Sequence, residues 1–447
     1  MPPTLVPRAA FLALLLAVFA PTARGDGPST FRVGVAETDV TPDRPTPMWG
    51  YGARHDRLSE GVLDRLKAKA VVIQAGEAKL AIVGMDLGRG PTPAMMARIR
   101  ALVSPRKIDN VLICGSHTHH GPVIELTDRP GFGKGTFDDA VAYASRLPDL
   151  IAGAILEADA KLEPAQMRIG DRETALNRNR HAKREPRPVD PRLTVVRFDR
   201  PDGEPLAVLV HFAAHPVMTP GEVLKFSADY PGALRSTVER KLRAPCLFIQ
   251  GAAGNLSPNP GQPADRTPEA FGRTLGLEAI EVAEGLAGTP AVPPSLAVAS
   301  DRFDFPTRLN LKSAVNLLLY GRAFFPELVR TLLEEYGDGM KAETTTVLLG
   351  DRLGVVALPG EPFCQHALRL RERADLPHAL VFGYCNGHLL YFPTIEAAAQ
   401  GGYGADSQMS PIALGAGERM MDRALINLFR LRGKFPGEQP NPTPSKP

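Results

Sequence analysis

The chain has 447 residues, an apolar content of 44% and a formal net charge of +3. That length is ample for a large hydrophobic core, and a single large α/β domain reaches it. A charge this close to neutral implies no basic face, which argues against nucleic acid as a partner.

The first 25 residues read MPPTLVPRAAFLALLLAVFAPTARG. Arg8 precedes an apolar run from Ala9 to Ala20, and small residues stand at Ala23 and Gly25. This is the shape of a secretory signal peptide cleaved after Gly25. The alternative is an uncleaved anchor, but the apolar run is short for a bilayer. Cleavage removes Arg8 and Arg24 and no acid, so the charge falls from +3 to +1. A secreted or periplasmic protein is expected, with no transmembrane span in the mature chain.

From Phe31 the sequence FRVGVAETDVTP alternates as a strand does, and AKAVVIQAGEAKLAIVGMDLG predicts two strands around a turn at Gly76 and Glu77. PAMMARIRALVS has helical spacing. NVLICGS is a short apolar strand. AVAYASRLPDLIAGAILEADAKL is helical with a break expected at Pro148. LTVVRFDRPDGEPLAVLVHFAAHP predicts a hairpin turning at Asp202 and Gly203. GALRSTVERKL follows as a helix, APCLFIQGAAGN as a strand entering glycines, and GRTLGLEAIEVAEGL as another helix. Beyond Pro290 come strands and a helical stretch interrupted at Pro326. A hairpin turns at Gly350 and Asp351, and helix and strand then follow to LVFGYCNG. A last helix covers GAGERMMDRALINLFRLR. Hairpins mixed with helix-linked crossings predict an α/β fold with mixed sheets flanked by helices.

Four cysteines are present, and export permits disulfides. Cys114 and Cys246 lie in apolar runs, where buried free thiols are expected. Cys364 with Cys385 is the one pairing considered. No CxxC spacing occurs, so no cysteine zinc site is supported.

Several polar residues share one location, just past the carboxyl end of an apolar strand and beside Gly or Pro. His117 follows VLIC, His215 follows AVLVHFAA, Asn255 and Ser257 follow LFIQ, Glu361 follows GVVAL, and Tyr391 comes after ALVFGY. In α/β proteins, sites are built at that edge. His117 and His119, two apart in SHTHH, would share a face if the strand extends that far. Two imidazoles there either grip one metal ion or divide ligation from proton transfer. Two histidines and a carboxylate such as Glu361 would suit zinc with one position open. Ser257 is not in a Gly-x-Ser-x-Gly elbow, so an α/β-hydrolase is not indicated. Composition alone makes Arg180, in ALNRNRH, a solvated loop residue.

In order along the chain, FRVGVAETDVTP, LKAKAVVIQAGEAKLAIVGMDLG, VLICGSHTHHGP, NRNR followed by VDPRLTVVRFD, HFAAHPVM, GNLSPN, VVALPGEPF and CNGHLLYFPT resemble segments of the neutral/alkaline ceramidase catalytic domain. His120 replaces a serine of that family's Ser-His-Thr-His-Ser-Gly-Pro signature, and Asn255 replaces an aspartate. His388 stands where an aromatic is usual, and HAKREPRP departs from the family's loop pattern. The family's C-terminal β-sandwich would start about where this chain ends. The resemblance implies a single large catalytic domain over 26–433, between the signal peptide expected over 1–25 and a Pro-rich tail over 434–447 expected to be disordered. It implies that His117, His215, Glu361 and Tyr391 bind zinc (Zn2+) and that His119 and Arg180 face the reacting amide. Ser257 is then close by, as nucleophile or as hydrogen-bonding partner. The implied function is hydrolysis of the N-acyl bond of ceramide or a related lipid amide by a zinc-activated water, with transient contact to a membrane surface. The alternatives are a zinc hydrolase of another ester or N-acyl substrate, and a non-catalytic exported binding protein.

Overall fold

The computed structural model describes residues 30–436 except Leu311. The expected signal peptide, and the expected tail from residue 437 onward, lie outside the described residues.

Eight strands form the larger sheet: β1 (Phe31–Asp39), β2 (Lys67–Ala75), β3 (Ala78–Met85), β4 (Asn110–Gly115), β5 (Glu163–Glu173), β6 (Arg192–Asp199), β7 (Pro205–Phe212) and β8 (Cys246–Gln250). Their spatial order is β8-β7-β6-β5-β1-β2-β3-β4. A second sheet holds β9 (Leu296–Phe305), β10 (Met340–Leu349), β11 (Leu353–Ala357) and β12 (His378–Phe382), in that order. Both sheets are mixed. Hairpins join β2 to β3, β6 to β7 and β10 to β11, whereas β3–β4, β7–β8 and β11–β12 are parallel. Each parallel pair ends in a loop at its carboxyl edge, and those loops carry the candidate site.

The sheets pack face to face. Phe31, Val71, Leu112 and Leu209 of the first interleave with Val347, Val355, Leu380 and Phe382 of the second. The outer face of the large sheet is covered by α1 (Pro93–Val103) and α2 (Asp138–Ala160) over one half, and by α3 (Tyr230–Leu242) and α4 (Pro268–Gly285) over the other. The outer face of the small sheet takes α7 (Cys364–Arg373) and α8 (Ala416–Leu431). Between β9 and β10 the chain makes two further helices, α5 (Ala314–Ala323) and α6 (Pro326–Tyr336). No helix among the described residues is long and apolar enough to cross a membrane.

Three expectations are corrected. Pro148 does not break its helix, because α2 runs unbroken for 23 residues. Proline costs a helix interior about 3 kcal/mol, but Tyr143, Leu147, Ile151 and Ile155 are buried on both sides of it and hold the two halves in one line. The pairing of Cys364 with Cys385 does not form, and all four cysteines are free and buried. Cys385 instead faces Cys114 across an isolated bridge between the sheets. The third concerns SHTHH. β4 stops at Gly115, and His117 has a left-handed φ of 67°, so a turn rather than a strand face presents the two imidazoles. A non-glycine residue held there stores backbone strain, which marks functional positions.

Candidate metal centre and the cavities beside it

The turn after β4 is fixed from the turn after β3. His117 N–H donates to Leu87 O at 3.0 Å, and its Nδ1 donates to Gly88 O at 2.7 Å. The loop after β7 holds His215 likewise, with Nδ1 2.8 Å from Ala253 O and 3.1 Å from Leu256 O. In both rings Nδ1 carries the proton, so Nε2 presents a lone pair. Carbonyl partners of this kind orient metal-binding imidazoles. Glu361 and Tyr391 sit opposite one another in a two-residue parallel pair, Glu361–Pro362 with Tyr391–Phe392, which brings both side chains to the same place.

These groups converge. Glu361 Oε2 lies 3.3 Å from His117 Nε2 and 3.1 Å from His215 Nε2. Tyr391 Oη is 3.5 Å from His215 Nε2. His119 Nε2 is 3.3 Å from His117 Nε2. The ligand atoms of His117, His119 and His215 all lie within 4.8 Å of one another. A tetrahedral ion with bonds of about 2.0–2.1 Å sets its ligands roughly 3.3 Å apart, so these spacings fit one zinc-sized cation. The charges agree. Burial, then Arg180 and His117, push the His215 imidazole down to about 3. Burial opposes ionisation of Glu361, but His117 and His215 outweigh it and hold that carboxyl well below its usual range. A buried carboxylate held ionised between two imidazoles is a donor set of the kind that takes a divalent cation.

His119 differs from His117 and His215 in one respect: its Nδ1 is buried and has no partner. Nothing orients it as Gly88 orients His117. Burial, then His117 and His215, keep it well below the ordinary imidazole value. Arg180 reaches the same cluster from the opposite side. Its Nη2 lies 2.7 Å from His215 Nε2 and donates to Gly254 O at 3.1 Å and Tyr391 Oη at 3.2 Å. Ser257 is buried beside Arg180 in a neighbouring cleft, but its Oγ has no hydrogen-bond partner, so it does not touch the imidazoles. Asn255 caps α7 instead, its Oδ1 accepting Cys364 N–H at 2.8 Å. His120 turns away to Arg54 Nη2 at 2.6 Å and Pro220 O at 3.1 Å.

The sequence reading missed three residues of the centre and gave a fourth, His388, no role. The ring of Trp49, the chain's single tryptophan, stands edge-on to His117, His119 and His388 at 5.1, 5.7 and 5.4 Å. Tyr51 meets His119 at 4.8 Å. Tyr384 lies against His117 at 4.2 Å. His388 is buried 3.6 Å from Glu361 Oε1, with neither ring nitrogen hydrogen-bonded. The signal for the first two was MWGYG, aromatic residues set among glycines outside any strand.

Gly50 makes that packing possible. Its φ is +105°, and a Cβ there would lie 2.5 Å from His119 Cγ. Gly50→Ala is expected to displace the His119 ring and lower turnover by about 10²-fold, since a misplacement near 1 Å costs that much, while metal content stays at the wild-type value. Assays of rate and metal on the purified variant check this, and an unchanged rate would show that His119 is not in the reaction path.

Two cavities flank the cluster. One, of about 270 Å³, is lined by Met48, Trp49, Val123, Phe324, Phe325 and Leu328, and it opens onto His117, His119, Glu361 and His388. The other, of about 350 Å³, holds Arg178, Arg180, Ser257 and Arg266.

A family model described as neutral/alkaline non-lysosomal ceramidase, N-terminal, matches residues 31–268. Neutral ceramidase A of Dictyostelium discoideum is 26% identical in an alignment of 273 positions that covers 53% of this chain and 37% of that protein. The matched part therefore spans well under half of that relative. The neutral ceramidase from Pseudomonas aeruginosa superposes with a TM-score of 0.72 at 21% identity, over 93% of this chain and 76% of that one. A ceramidase complexed with C2 gives 0.72 at 19% identity, over 93% and 77%. At those identities the likeness establishes the fold, mixed sheets flanked by helices.

Proposed function

The chain belongs to the neutral/alkaline non-lysosomal ceramidase family, and from that premise we propose that it is a zinc-dependent amidohydrolase acting on ceramide or a related lipid amide. The observation that carries the reading is the convergence of His117 Nε2, His215 Nε2 and Glu361 Oε2 at the floor of an apolar cavity. His117, His215, Glu361 and Tyr391 would hold the ion. Bound zinc supplies a Lewis acid for the carbonyl and acidifies a water towards a pKa of about 7.

The chain's own residues do the rest. The apolar cavity takes the acyl chain and excludes water from it. Arg180 aims its guanidinium at the cluster and stabilises negative charge developing on the carbonyl oxygen. Water adds to the carbonyl carbon, the C–N bond breaks, and a proton must reach the leaving amine. His119, neutral and unanchored, is the group placed to move that proton. Ser257 has no base within hydrogen-bond reach, which favours a positioning role over attack. Val315 and Leu318 are exposed on α5, the helix whose end leads into the cavity wall at Phe324, and Tyr403 is exposed at the cavity itself. That apolar rim supports transient contact with a membrane surface, as a secreted or periplasmic enzyme drawing substrate from a bilayer would need.

Purified protein should contain one zinc per chain and hydrolyse N-acyl amides. A screen of ceramides, simpler lipid amides and esters, run with and without chelator, tests it. Protein that binds no zinc would favour a non-catalytic binding role, and zinc protein that cleaves esters alone would replace the amidase reading with an esterase.

A further inference from the structure

We infer that the cleft formed by Arg178, Arg180, Ser257 and Arg266 binds a small oxyanion on the amine side of the substrate, so that the preferred substrates are N-acyl amides bearing a carboxylate or phosphate. This rests on the hydrolase reading above and narrows it, because ceramide carries no such charge.

The cleft is built by local geometry. Ser257 and Arg178 are direct partners in the short antiparallel pair Leu256–Pro258 with Asn177–Asn179. Paired residues project to the same face, so the hydroxyl and the guanidinium point together. Arg180, two residues on, lines the same cleft and reaches through it to His215 and Tyr391. Arg266 closes the far side.

Three observations point to an anion. Arg178 and Arg266 are exposed and have no hydrogen-bond or ion-pair partner among the described residues. Ser257 Oγ, in a residue only 7% exposed, is also without a partner and borders the cleft. No carboxylate lines the cleft, whereas the apolar cavity across the cluster has Glu125 and Glu361 and no lysine or arginine. Charge is thus sorted across the centre. An acyl chain fits one side, and the scissile bond sits at the cluster. The group released with the amine lies among guanidinium donors, whose planar fork suits carboxylate and phosphate.

Three substrates with one acyl chain test this: N-dodecanoylglycine, the phosphate ester of N-dodecanoylethanolamine, and uncharged N-dodecanoylethanolamine. At least one charged substrate should exceed the uncharged one in kcat/KM by about 10-fold or more, the scale of a charge-assisted contact. That ratio should fall towards one in Arg178→Gln/Arg266→Gln, and should shrink as salt rises from about 50 to about 500 mM. A preference for glycine assigns N-acyl amino acids, and a preference for phosphate assigns phosphorylated lipid amides. Equal rates on charged and uncharged substrates, or a preference that survives the double substitution, would overturn the inference. Calorimetric binding of N-dodecanoylglycine against dodecanamide, in both proteins, reads the cleft without turnover. Arginine-dependent binding with no hydrolysis of any substrate would sink the hydrolase reading and keep the cleft. Equal binding of the two ligands would remove the cleft whatever the turnover.

Discussion

His117→Ala is expected to empty the metal centre and abolish turnover, whereas His119→Ala should keep the metal and slow the reaction by about 10² to 10⁴-fold, the range for a lost general acid–base group. The two residues are neighbours in sequence and their Nε2 atoms lie 3.3 Å apart, so proximity alone does not separate them. Their other nitrogens do. His117 Nδ1 is tied to Gly88 O, which fixes the tautomer and aims the lone pair at Glu361 and His215. His119 Nδ1 is tied to nothing. A ligand needs the first arrangement, and a group that exchanges protons during a reaction cycle needs the freedom of the second. Metal analysis after gel filtration, with turnover on the same samples, decides the matter. Zinc lost from His119→Ala and retained in His117→Ala would reverse the roles.

Asp86→Ala should destabilise the fold by about 3–5 kcal/mol, the cost of leaving one partner of a buried ion pair alone. Asp86 is fully buried at the end of β3, where its Oδ2 accepts Arg235 Nη2 at 2.6 Å and Lys67 N–H at 2.8 Å. Burial disfavours the Arg235 cation, but Asp86 outweighs it and the guanidinium is held above its ordinary value. Removing the carboxylate strands that charge under α3. Asp86→Leu with Arg235→Met removes both charges and should recover much of the loss, since apolar replacement of a whole pair is often neutral. Denaturant melts of the variants measure this. A loss below about 1 kcal/mol in Asp86→Ala would mean that water reaches the pair. The two residues after Asp86 supply the carbonyls that hold His117, so weakened zinc retention should accompany the loss.

Much of this architecture is legible in the sequence because period and punctuation agree. β2 and β3 read as strands from their apolar residues, and Gly76 marks the turn between them. β5 escaped because its apolar stretch is short. Only its first three residues pair with β1, and along β6 it is held by contacts such as Arg168 with Asp199 and Asp171 with Arg192. In EPAQMRIGDRE only Ala165, Met167 and Ile169 alternate with polar residues before charged residues take over, so the half-buried signal is brief. At the site, His117, His215 and Glu361 were visible because each follows an apolar strand. Trp49 arrives from one loop and Tyr384 and His388 from another far along the chain, where no periodicity connects them. The two-residue pair that sets Glu361 beside Tyr391 is too short to leave a pattern at all.

The side chains that converge on one point belong to different sheets. His117 and His215 hang from the edge of the large sheet, and Glu361 and Tyr391 from loops of the small one. A cation seated among them would therefore cross-link two halves that otherwise adhere through apolar packing and through bonds such as Ile113 N–H to Asn386 Oδ1 and Arg371 to Asp190. It would close a loop of more than half the chain, and its binding free energy would become resistance to unfolding by mass action. Sliding of one sheet over the other would break the coordination shell. On that reading, turnover and the mechanical integrity of the sandwich would depend on one rivet.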